Sequence, residues 1–207
     1  MKIPSEHVER LERFIDRIKS ETYPEPPSAV HVPIIEAMVP QTLEMTKLAR
    51  GSRVLDVGCG QGQSMELFAK AGMEVIGVTL NDEDRDVCLS RGLDVRMMDQ
   101  SFLDFEPGSF DMLWVRHCLE HSIFPYFTLE GFYRVLRPKG WLYVEVPAPG
   151  TSCKHETNQN HYSVLSREMW ISLFERSGFA SYAATEHKPV TKAGPDEYWA
   201  FLMIKQG

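Results

Sequence analysis

The stretch 54–64, VLDVGCGQGQS, places an acidic side chain two residues before a run of glycines. Gly58, Gly60 and Gly62 lack a Cβ, so they permit positive φ angles and close approach of a ligand to the backbone. The carboxylate of Asp56 suits an ammonium group better than a pyrophosphate, because like charges repel. The stretch therefore predicts a turn that holds a ligand carrying positive charge.

The spacing of these glycines, GxGxG, separates the turn from two phosphate-binding motifs. A dinucleotide fingerprint needs GxGxxG, and Ser64 and Met65 stand where its third glycine would help a helix pack on a strand. A Walker A loop needs a Gly-Lys-Ser/Thr ending, which does not follow here. A glycine turn that holds no ligand is the alternative for this stretch.

The candidates for acid–base chemistry are four histidines, His117, His121, His155 and His161, with Glu120 and Glu145 as carboxylates. His117 comes directly after the apolar stretch 110–116, and an unperturbed imidazole titrates near working pH. It is therefore the candidate catalytic residue, acting as a general base, with a packing or ligand-side role as the alternative. Glu120 and His121 follow and are expected to brace the local loop.

Two groupings of residues were weighed as metal sites. His117, Glu120 and His121 could meet on one helical turn, but nothing else in the sequence supports a metal there. Cys153 and His155 form a Cys-x-His pair without the second pair that a zinc site needs. We therefore predict no bound metal.

The longest polar stretch without a helix or strand pattern covers residues 147–163, PAPGTSCKHETNQNHYS. Long loops in compact domains are often functional. His155, His161 and Tyr162 offer hydrogen-bond donors and acceptors, so we expect them to bind a polar substrate. A solvated surface loop is the alternative.

Strands and helices must alternate to position these residues. Apolar strand patterns are expected at 53–57, 74–80, 94–98, 110–117 and 141–147, and helices at 63–72, 82–92, 128–140 and 166–178. Strands separated by helices predict a mostly parallel sheet with right-handed crossovers. Two final strands, at 180–187 and 197–205, have only a loop between them and predict an antiparallel edge. In such a sheet, ligands bind beyond the carboxyl ends of the strands, where the glycine turn and His117 fall.

About 50 residues precede the first strand. A helix with Ser5 as its N-cap is expected up to Ile18, and successive prolines in YPEPPS end it. A second helix is expected at about 34–49. We interpret residues 1–50 as a helical cap and linker within the same domain as residues 51–207. This cap could close over a bound ligand, with Tyr23 and His31 facing the substrate.

Composition bounds the class of protein. The chain has 207 residues, of which 43% are apolar and 25% charged, as in an ordinary globular domain. The net charge of −7 and the lack of a basic stripe argue against a nucleic-acid partner. No apolar run approaches the length of a membrane span, no apolar signal segment opens the sequence, and the four cysteines form no CxxC pair. We therefore expect a cytoplasmic protein with no membrane partner.

Several motifs, in order, resemble the class I S-adenosylmethionine-dependent methyltransferases. VLDVGCGQGQS is similar to the first motif of that family, and VRMMDQSFLDFEPGSFDMLWVRHCLEH is similar to its third and fourth strand region. FYRVLRPKGWLYVEVP is similar to its fifth-strand segment, and HYSVLSREMWISLFERSGF to a segment of its small-molecule branch. The resemblance implies an α/β fold: a doubly wound, seven-stranded mixed sheet of Rossmann-like type with an antiparallel C-terminal edge strand and an N-terminal helical cap.

The resemblance also implies a cofactor, S-adenosylmethionine, and its product S-adenosylhomocysteine. The glycines would lie against the methionine part, with Asp56 near its amino group. Asp99 and Gln100 would contact adenine, assisted by Ser101, and Leu80 would pack on the ring. The full cofactor-binding set is Asp56, Gly58, Cys59, Gly60, Gly62, Thr79, Leu80, Asp99, Gln100, Ser101 and Arg116.

Thr79 departs from the family pattern. Many members have an acidic residue at the end of the second strand, where it binds the ribose hydroxyls. A threonine gives one hydroxyl contact and not the two acceptor oxygens of a carboxylate. Asn81 or Asp82 could compensate.

The implied function is methyl transfer to a small or medium polar metabolite, through oxygen or nitrogen. A module that binds the cofactor or its product without turnover is the main alternative. A nicotinamide-dependent oxidoreductase is a weaker one, because GxGxG preceded by Asp56 does not suit a dinucleotide. Neither the methyl acceptor nor the oligomeric state follows from the sequence.

Overall fold

The protein, described over residues 2–207 by a computed structural model, is built on a seven-stranded sheet in the order β3-β2-β1-β4-β5-β9-β6. The strands are β1 Arg53–Val57, β2 Glu74–Thr79, β3 Val95–Met97, β4 Phe110–Arg116, β5 Leu136–Pro147, β6 Phe179–His187, β7 Val190–Thr191, β8 Gly194–Pro195 and β9 Tyr198–Lys205. Strands β7 and β8 form a separate hairpin.

The sheet is mixed, as predicted. β1 pairs in parallel with β2 and β4, so the strand order reverses at β1 and the glycine turn follows it at the switch point. β5 is parallel to β4, whereas β9 is antiparallel to both β5 and β6. The antiparallel edge is therefore present, but β6 is the outermost strand and the C-terminal strand β9 is the second from this edge.

Six α-helices accompany the sheet in the described chain. They are α1 Ser5–Ser20, α2 His31–Thr46, α3 Gln63–Lys70, α4 Asp82–Ser90, α5 Pro125–Val135 and α6 Arg167–Arg176. Ser166 caps α6 as predicted, because its hydroxyl accepts the Met169 N–H. The expected cap at Ser5 is wrong: Ser5 is inside the helix, Pro4 precedes it, and no side chain caps that end.

Helices cover both faces of the sheet. On one face, α2 and α3 pack on Trp114 and Tyr143, whose rings stack at 4.0 Å between centroids. On the other face, α5 and α6 bury Phe132 and Trp170 against β4 and β5. Met65 of α3 shares a small cluster with Cys88, so α4 packs beside α3. The core thus lies on both faces of β1, β4 and β5.

The two N-terminal helices differ in how they pack. α2 places Ile35, Met38 and Val39 in the core cluster of its sheet face. α1 has no buried residue. The segment between them, residues 21–30, crosses the carboxyl end of the sheet, where Glu25 meets Asp84 at the start of α4. Residues 31–46 are therefore an integral part of the core, and α1 with the linker forms an outer cap.

The β7–β8 hairpin was not expected from the sequence. Each of its strands has only two residues, Val190–Thr191 and Gly194–Pro195, too few to show an alternating pattern. Gly194 adopts φ +122°, which only glycine tolerates easily. The hairpin fills the connection between β6 and β9 and packs on the loop after β5 through Ser152, whose N–H donates to the Pro195 carbonyl.

Candidate active site

Two adjoining cavities open where the parallel strands end. The first, of about 790 Å³, is called here the apolar cavity, and the second, of about 1100 Å³, the histidine cavity. The apolar cavity is lined by Ile18, Thr22, Val57, Val78, Thr79, Leu80, Asn81, Asp84, Met98, Asp99, Gln100, Cys118, Asn160 and Tyr162. The histidine cavity is lined by Pro26, Pro27, Ser28, His31, Ile35, Asp56, Cys59, Gln61, Gln63, Ser64, Arg116, Glu120, His155, Asn158, His161 and Tyr198. Both cavities share Tyr23, Glu25, Gly58, Gly60, His117 and His121.

Both backbone conformation and close neighbouring side chains require glycine in this turn. Gly58, Gly60 and Gly62 have φ angles of +72°, +47° and +81°. A Cβ on Gly58 would lie 2.7 Å from Sγ of Cys118, and one on Gly62 would overlap the Leu93 side chain. Gly58 and Gly60 line the cavities, whereas Gly62 does not. Gly62 therefore acts through packing and not through the predicted ligand contact.

Asp56 is the buried acid of the histidine cavity. Its side chain accepts a hydrogen bond of 2.5 Å from the Ser64 hydroxyl. Burial raises the pKa of Asp56 to about 7, and the Ser64 hydrogen bond opposes this only in part. The carboxyl group therefore lacks a full counter-charge, which a cationic ligand would supply.

Polar groups in the apolar cavity come from the ends of β2 and β3. The Thr79 hydroxyl accepts the Asn81 N–H at 3.1 Å, and Asp99 accepts the Ser101 N–H at 2.7 Å. Gln100 donates through Nε2 to the Cys118 carbonyl, while its Oε1 is buried without a partner. Asp99 and Gln100 thus both line the apolar cavity, and Asp99 also caps the turn at Ser101.

Three other predicted or considered residues lie elsewhere. Ser101 lines neither cavity, because its hydroxyl pairs with that of Thr128. Tyr162 lines the apolar cavity instead of the histidine cavity. Asp82 pairs with Arg85 on the exposed side of α4 and reaches neither cavity, so it does not compensate for Thr79.

The N-terminal linker contributes a carboxylate that sequence reasoning missed. The Glu25 N–H donates to both carboxylate oxygens of Asp84 at 3.1 Å, and Asn81 Nδ2 donates to the Thr22 hydroxyl at 3.4 Å. These contacts hold the Glu25 side chain between the two cavities, where surrounding protein raises its pKa. No local pattern marks Glu25, because it stands in a proline-rich connection.

A buried charge network forms the floor of the histidine cavity. Glu145 lies on β5 and pairs with the Arg116 guanidinium at the end of β4. Its other partners are Nε2 of His117 at 3.0 Å and the Tyr143 hydroxyl at 2.9 Å. Burial would raise the pKa of Glu145, but Arg116 and His117 outweigh it and lower the pKa. Glu145 is therefore a fixed buried anion.

His117 is held tightly in this network. Its φ of +46° is unusual for a non-glycine residue, and its N–H donates to the Glu145 carbonyl at 2.9 Å. Nε2 faces Glu145, and Nδ1 lies 3.6 Å from Glu120. Burial would lower the pKa of His117, but the hydrogen bond to Glu145 and the nearby Glu120 carboxylate raise it to about 9. His117 is therefore an imidazolium at neutral pH.

Six of the chain's seven histidines surround the histidine cavity or its floor. His31, His117, His121, His155 and His161 line it, and His187 lies 3.6 Å from Glu145. His155 and His161 stack with centroids 5.6 Å apart, and His31 stacks on Tyr198 at 5.5 Å. Burial lowers the pKa values of His31 and His161 to about 4, so both rings are neutral near pH 7.

Two clusters bring metal-ligating atoms within 4.8 Å of one another. One joins Glu120, His121 and His161, so His161 takes the place that the sequence gave to His117. The other joins Cys153, His155 and Asp196. In the second cluster, Asp196 is fully buried and its carboxylate oxygens both lie 3.0 Å from Nε2 of His155. Burial would raise the pKa of Asp196, but the hydrogen bond with His155 and the polar groups around the carboxylate lower it to about 2.

The central segment of the chain is the part that is similar to a known family. Residues 55–144, which run from β1 into β5, match the family described as "Methyltransferase domain". This segment contains the glycine turn, Asp99, Gln100 and the charge network. This segment is therefore similar to methyltransferase domains, and the sheet has the class I methyltransferase fold.

Relatives of this domain include ubiquinone biosynthesis O-methyltransferases. That of Burkholderia vietnamiensis is 31% identical over 100 residues, covering 45% of this chain and 43% of the relative. That of Xanthomonas euvesicatoria is 36% identical over 101 residues, covering 45% and 42%. The aligned part therefore spans less than half the length of these relatives.

Solved structures share the methyltransferase fold. The YcgJ protein of Bacillus subtilis has a TM-score of 0.68 at 16% identity, covering 83% of this chain and 99% of that one. Phosphoethanolamine N-methyltransferase 2 of Haemonchus contortus, solved with S-adenosylhomocysteine, scores 0.69 at 19% identity, covering 83% and 53%. The [4+2]-cyclase SpnF also scores 0.69, at 18% identity, covering 83% and 80%. A cyclase on this fold shows that the fold alone does not decide the reaction.

Membrane-crossing helices are absent from the described part of the chain. Within residues 2–207, no helix is both long enough and apolar enough to cross a bilayer.

Proposed function

We propose that this protein transfers a methyl group from S-adenosylmethionine to a small or medium polar metabolite. The observation that carries the proposal is the pair of adjoining cavities at the switch point. The apolar cavity has side chains that could pack on and hydrogen-bond to adenine, and the histidine cavity has the buried carboxyl of Asp56. Together they suit a ligand with a flat ring at one end and an ammonium at the other. Hydroxyl acceptors are favoured over amines, because the relatives are O-methyltransferases by name.

The residues present fit this cofactor. Leu80 and Met98 offer apolar walls for a ring, and Gln100 Oε1 is a buried acceptor without a protein partner, as an exocyclic amine would need. Asp56 would take the ammonium, since it has a buried carboxyl and no cation of its own in hydrogen-bond contact. Gly58, Cys59 and Gly60 would lie along the methionine part. When bound, the cofactor supplies an activated methyl group on a sulfonium.

Thr79 and Glu25 would share the recognition of the ribose. Both line the apolar cavity, and Thr79 offers a hydroxyl while Glu25 offers two acceptor oxygens. Glu25 is held there by Asp84 and approaches Gly60, whose Cβ position is 3.3 Å from the Glu25 carbonyl. The linker would thus supply the carboxylate that β2 lacks.

Residues around the histidine cavity would bind the acceptor. His155 and His161 line that cavity directly, with Tyr162 at the adjoining apolar one. Arg116 and the imidazolium of His117 form the floor, where their positive charge would stabilise negative charge that develops on the acceptor oxygen. We propose this electrostatic role for His117 in place of proton removal, because its pKa of about 9 keeps it protonated.

The wider proposals follow from the same arrangement. Residues 1–50 would serve as cap and linker over the cofactor-binding domain 51–207. The methyl acceptor would be a small molecule and not a nucleic acid, in keeping with the net charge of −7. We propose a cytoplasmic location and no resident metal.

Calorimetric titration of the purified protein tests the proposal. We expect micromolar binding of S-adenosylmethionine and S-adenosylhomocysteine and none of NAD. Asp99→Ala is expected to weaken both by about tenfold to a hundredfold, because it removes a carboxyl hydrogen-bond acceptor from the apolar cavity. Asp104→Ala, an exposed acid outside both cavities, serves as the matched control and is expected to bind like the wild type.

Methyl transfer is then measured with panels of hydroxyl and amine acceptors. Turnover of a hydroxyl acceptor supports the proposal. Retention of the cofactor with no turnover on broad panels would favour the non-catalytic binding module. Absence of binding by folded, ligand-free protein would overturn the assignment altogether.

Cofactor affinity is expected to depend on pH through Asp56. Because its pKa is about 7 in the free protein, the carboxyl is protonated below that pH and must lose a proton to meet an ammonium. The Kd for S-adenosylhomocysteine should therefore fall about tenfold per pH unit as pH rises toward 7, and then level off. Titrations at pH 5.5 to 8.5 in buffers of different ionisation enthalpy measure both the slope and the released proton.

The variant Asp56→Asn provides the control for this pH dependence. It has no titrating group at this position, so its affinity should be weaker at pH 8 and flat with pH. A slope that persists in Asp56→Asn would assign the titration to another group.

A further inference from the structure

We propose that His155, held by the buried carboxylate of Asp196, is the general base that removes the proton from the acceptor hydroxyl. The inference rests on the proposed function, since a base is needed only when a protonated acceptor is methylated. It gives His155 the proton-transfer role that the charge network denies to His117. Asp196 is a positioning residue and does not touch the acceptor.

His155 is distinguished by what its two ring nitrogens face. Nε2 lies 3.0 Å from both oxygens of Asp196. An ionised carboxylate can only accept, so Nε2 carries the proton and Nδ1 holds the lone pair. The side chain is 15% exposed and lines the histidine cavity. Within residues 2–207, Nδ1 has no hydrogen-bond partner. A lone pair on the cavity side is what a general base requires.

The other histidines of this cavity lack that combination. Both nitrogens of His117 face carboxylates. His121 uses Nδ1 on the Asn160 carbonyl at 2.8 Å, and the Glu120 carboxylate within 4.8 Å makes no hydrogen bond to its ring in residues 2–207. His31 and His161 each bury an unpartnered Nδ1 and hydrogen-bond to no carboxylate among the described residues. His155 is therefore the ring whose protonated form has a hydrogen-bonded counter-ion ready.

Asp196 is fixed by the hairpin and the start of β9. Its N–H donates to the Pro189 carbonyl at 2.9 Å, and its Oδ1 accepts the Glu197 N–H at 3.0 Å. The Ser152 N–H donates to the Pro195 carbonyl at 3.2 Å, which ties the loop that carries His155 to the same hairpin. The same hairpin region thus holds both partners, which fixes the separation of His155 and Asp196.

The groups around His155 are consistent with this role. The titratable side chains that face it are Asp196, Cys153, His161, Tyr198 and Glu156. Cys153 would complete a three-ligand metal set with His155 and Asp196. A metal would, however, have to displace the two short contacts between Nε2 and the carboxylate. The geometry therefore points to a hydrogen-bonded pair, and the metal is an outcome that the test must separate.

The transfer balances in atoms and charge. The acceptor oxygen loses its proton to Nδ1 of His155 and forms the new bond to the methyl carbon. The electron pair of the cleaved methyl–sulfur bond remains on sulfur, which becomes a neutral thioether. The imidazolium formed at His155 is stabilised by Asp196 until the proton passes to solvent.

Nitrogen-15 NMR of histidine-labelled full-length protein tests the pair without any acceptor. The resonances of His155 are assigned by their loss in His155→Gln. We expect the neutral ring to carry its proton on Nε2, and Asp196→Asn to weaken this preference for one ring nitrogen. A neutral ring protonated on Nδ1, or a shift pattern that changes when EDTA strips a metal, would overturn the proposal.

A comparison of two acceptors tests the proton-transfer role. Phenol keeps its proton at pH 8, whereas thiophenol is largely ionised and needs no base. We expect His155→Asn to slow methylation of phenol by about a hundredfold or more, and that of thiophenol less than threefold. Equal losses for both probes would make the role of His155 structural and overturn the proposal. His121→Asn, another cavity histidine, should show no such difference between the probes.

Failure of this inference is separable from failure of the proposed function. Titration with S-adenosylhomocysteine on the same samples reports the proposed cofactor site, which includes neither His155 nor Asp196. Cofactor binding that persists in His155→Asn, with unchanged phenol turnover, rejects the base alone. Loss of binding in the wild type rejects the proposed function.

Discussion

Glu145→Gln is expected to lower the free energy of unfolding by about 3 to 5 kcal/mol, a large share of the stability of a domain of this size. The substitution removes the anion between Arg116 and His117 while leaving both buried next to a neutral amide. Arg116 then lacks the paired anion that offset its desolvation, and His117 keeps only Glu120. Urea unfolding followed by circular dichroism measures the loss.

The double variant Arg116→Met/Glu145→Met is the control for this effect. It removes both ends of the ion pair and fills the space with apolar side chains, so it should lose clearly less stability than Glu145→Gln. A double variant as unstable as the single one would mean that packing at β4 and β5, and not an uncompensated charge, causes the loss. Its methylation activity should still be low, because the cationic floor of the cavity is gone.

Gly58→Ala is expected to destabilise the protein by about 2 to 4 kcal/mol and to abolish cofactor binding. The residue has φ +72°, which costs an L-residue about 1 to 2 kcal/mol. The added Cβ would also lie 2.7 Å from Sγ and 2.8 Å from Cβ of Cys118, so the turn must shift. Thermal unfolding and titration with S-adenosylhomocysteine measure the two effects.

Gly51→Ala separates the two contributions. Gly51 has a similar φ of +81°, but nothing lies within 4 Å of its Cβ position. It should therefore show only the backbone cost and keep its cofactor affinity. Equal destabilisation of the two variants would indicate that the contact with Cys118 is relieved at little cost.

The alternation of apolar stretches and glycine stops predicted the fold well. β1, β4 and the helices that follow the strands each have a local pattern, and strand alternation with helices dictates a parallel sheet. The placement of β9 inside the edge does not follow from local patterns, because pairing between distant strands is decided by the whole sheet. The hairpin at 190–195 was not predicted, because strands of two residues show no periodic pattern in the sequence.

Residues of the candidate site could be predicted where a polar or titratable side chain stands at the end of a strand. Asp56, Asp99 and His117 all stand at strand ends, so topology alone brings them to one edge. Glu25 and Asp196 come from a proline-rich linker and a short hairpin, and only tertiary contacts reveal them. The pKa of His117 also could not be foreseen, because Glu145 reaches it from 28 residues away.

The contact between Glu25 and Asp84, which anchors the linker, bears on the rate at which product leaves the site. Tyr23 and Glu25 form part of the wall of both cavities, so a molecule that fills both would lie beneath this segment. Release of the spent cofactor would then require the Glu25 N–H to leave the Asp84 carboxylate. Each catalytic cycle would include one such undocking, and its rate sets a ceiling on turnover that no improvement in the chemical step can raise.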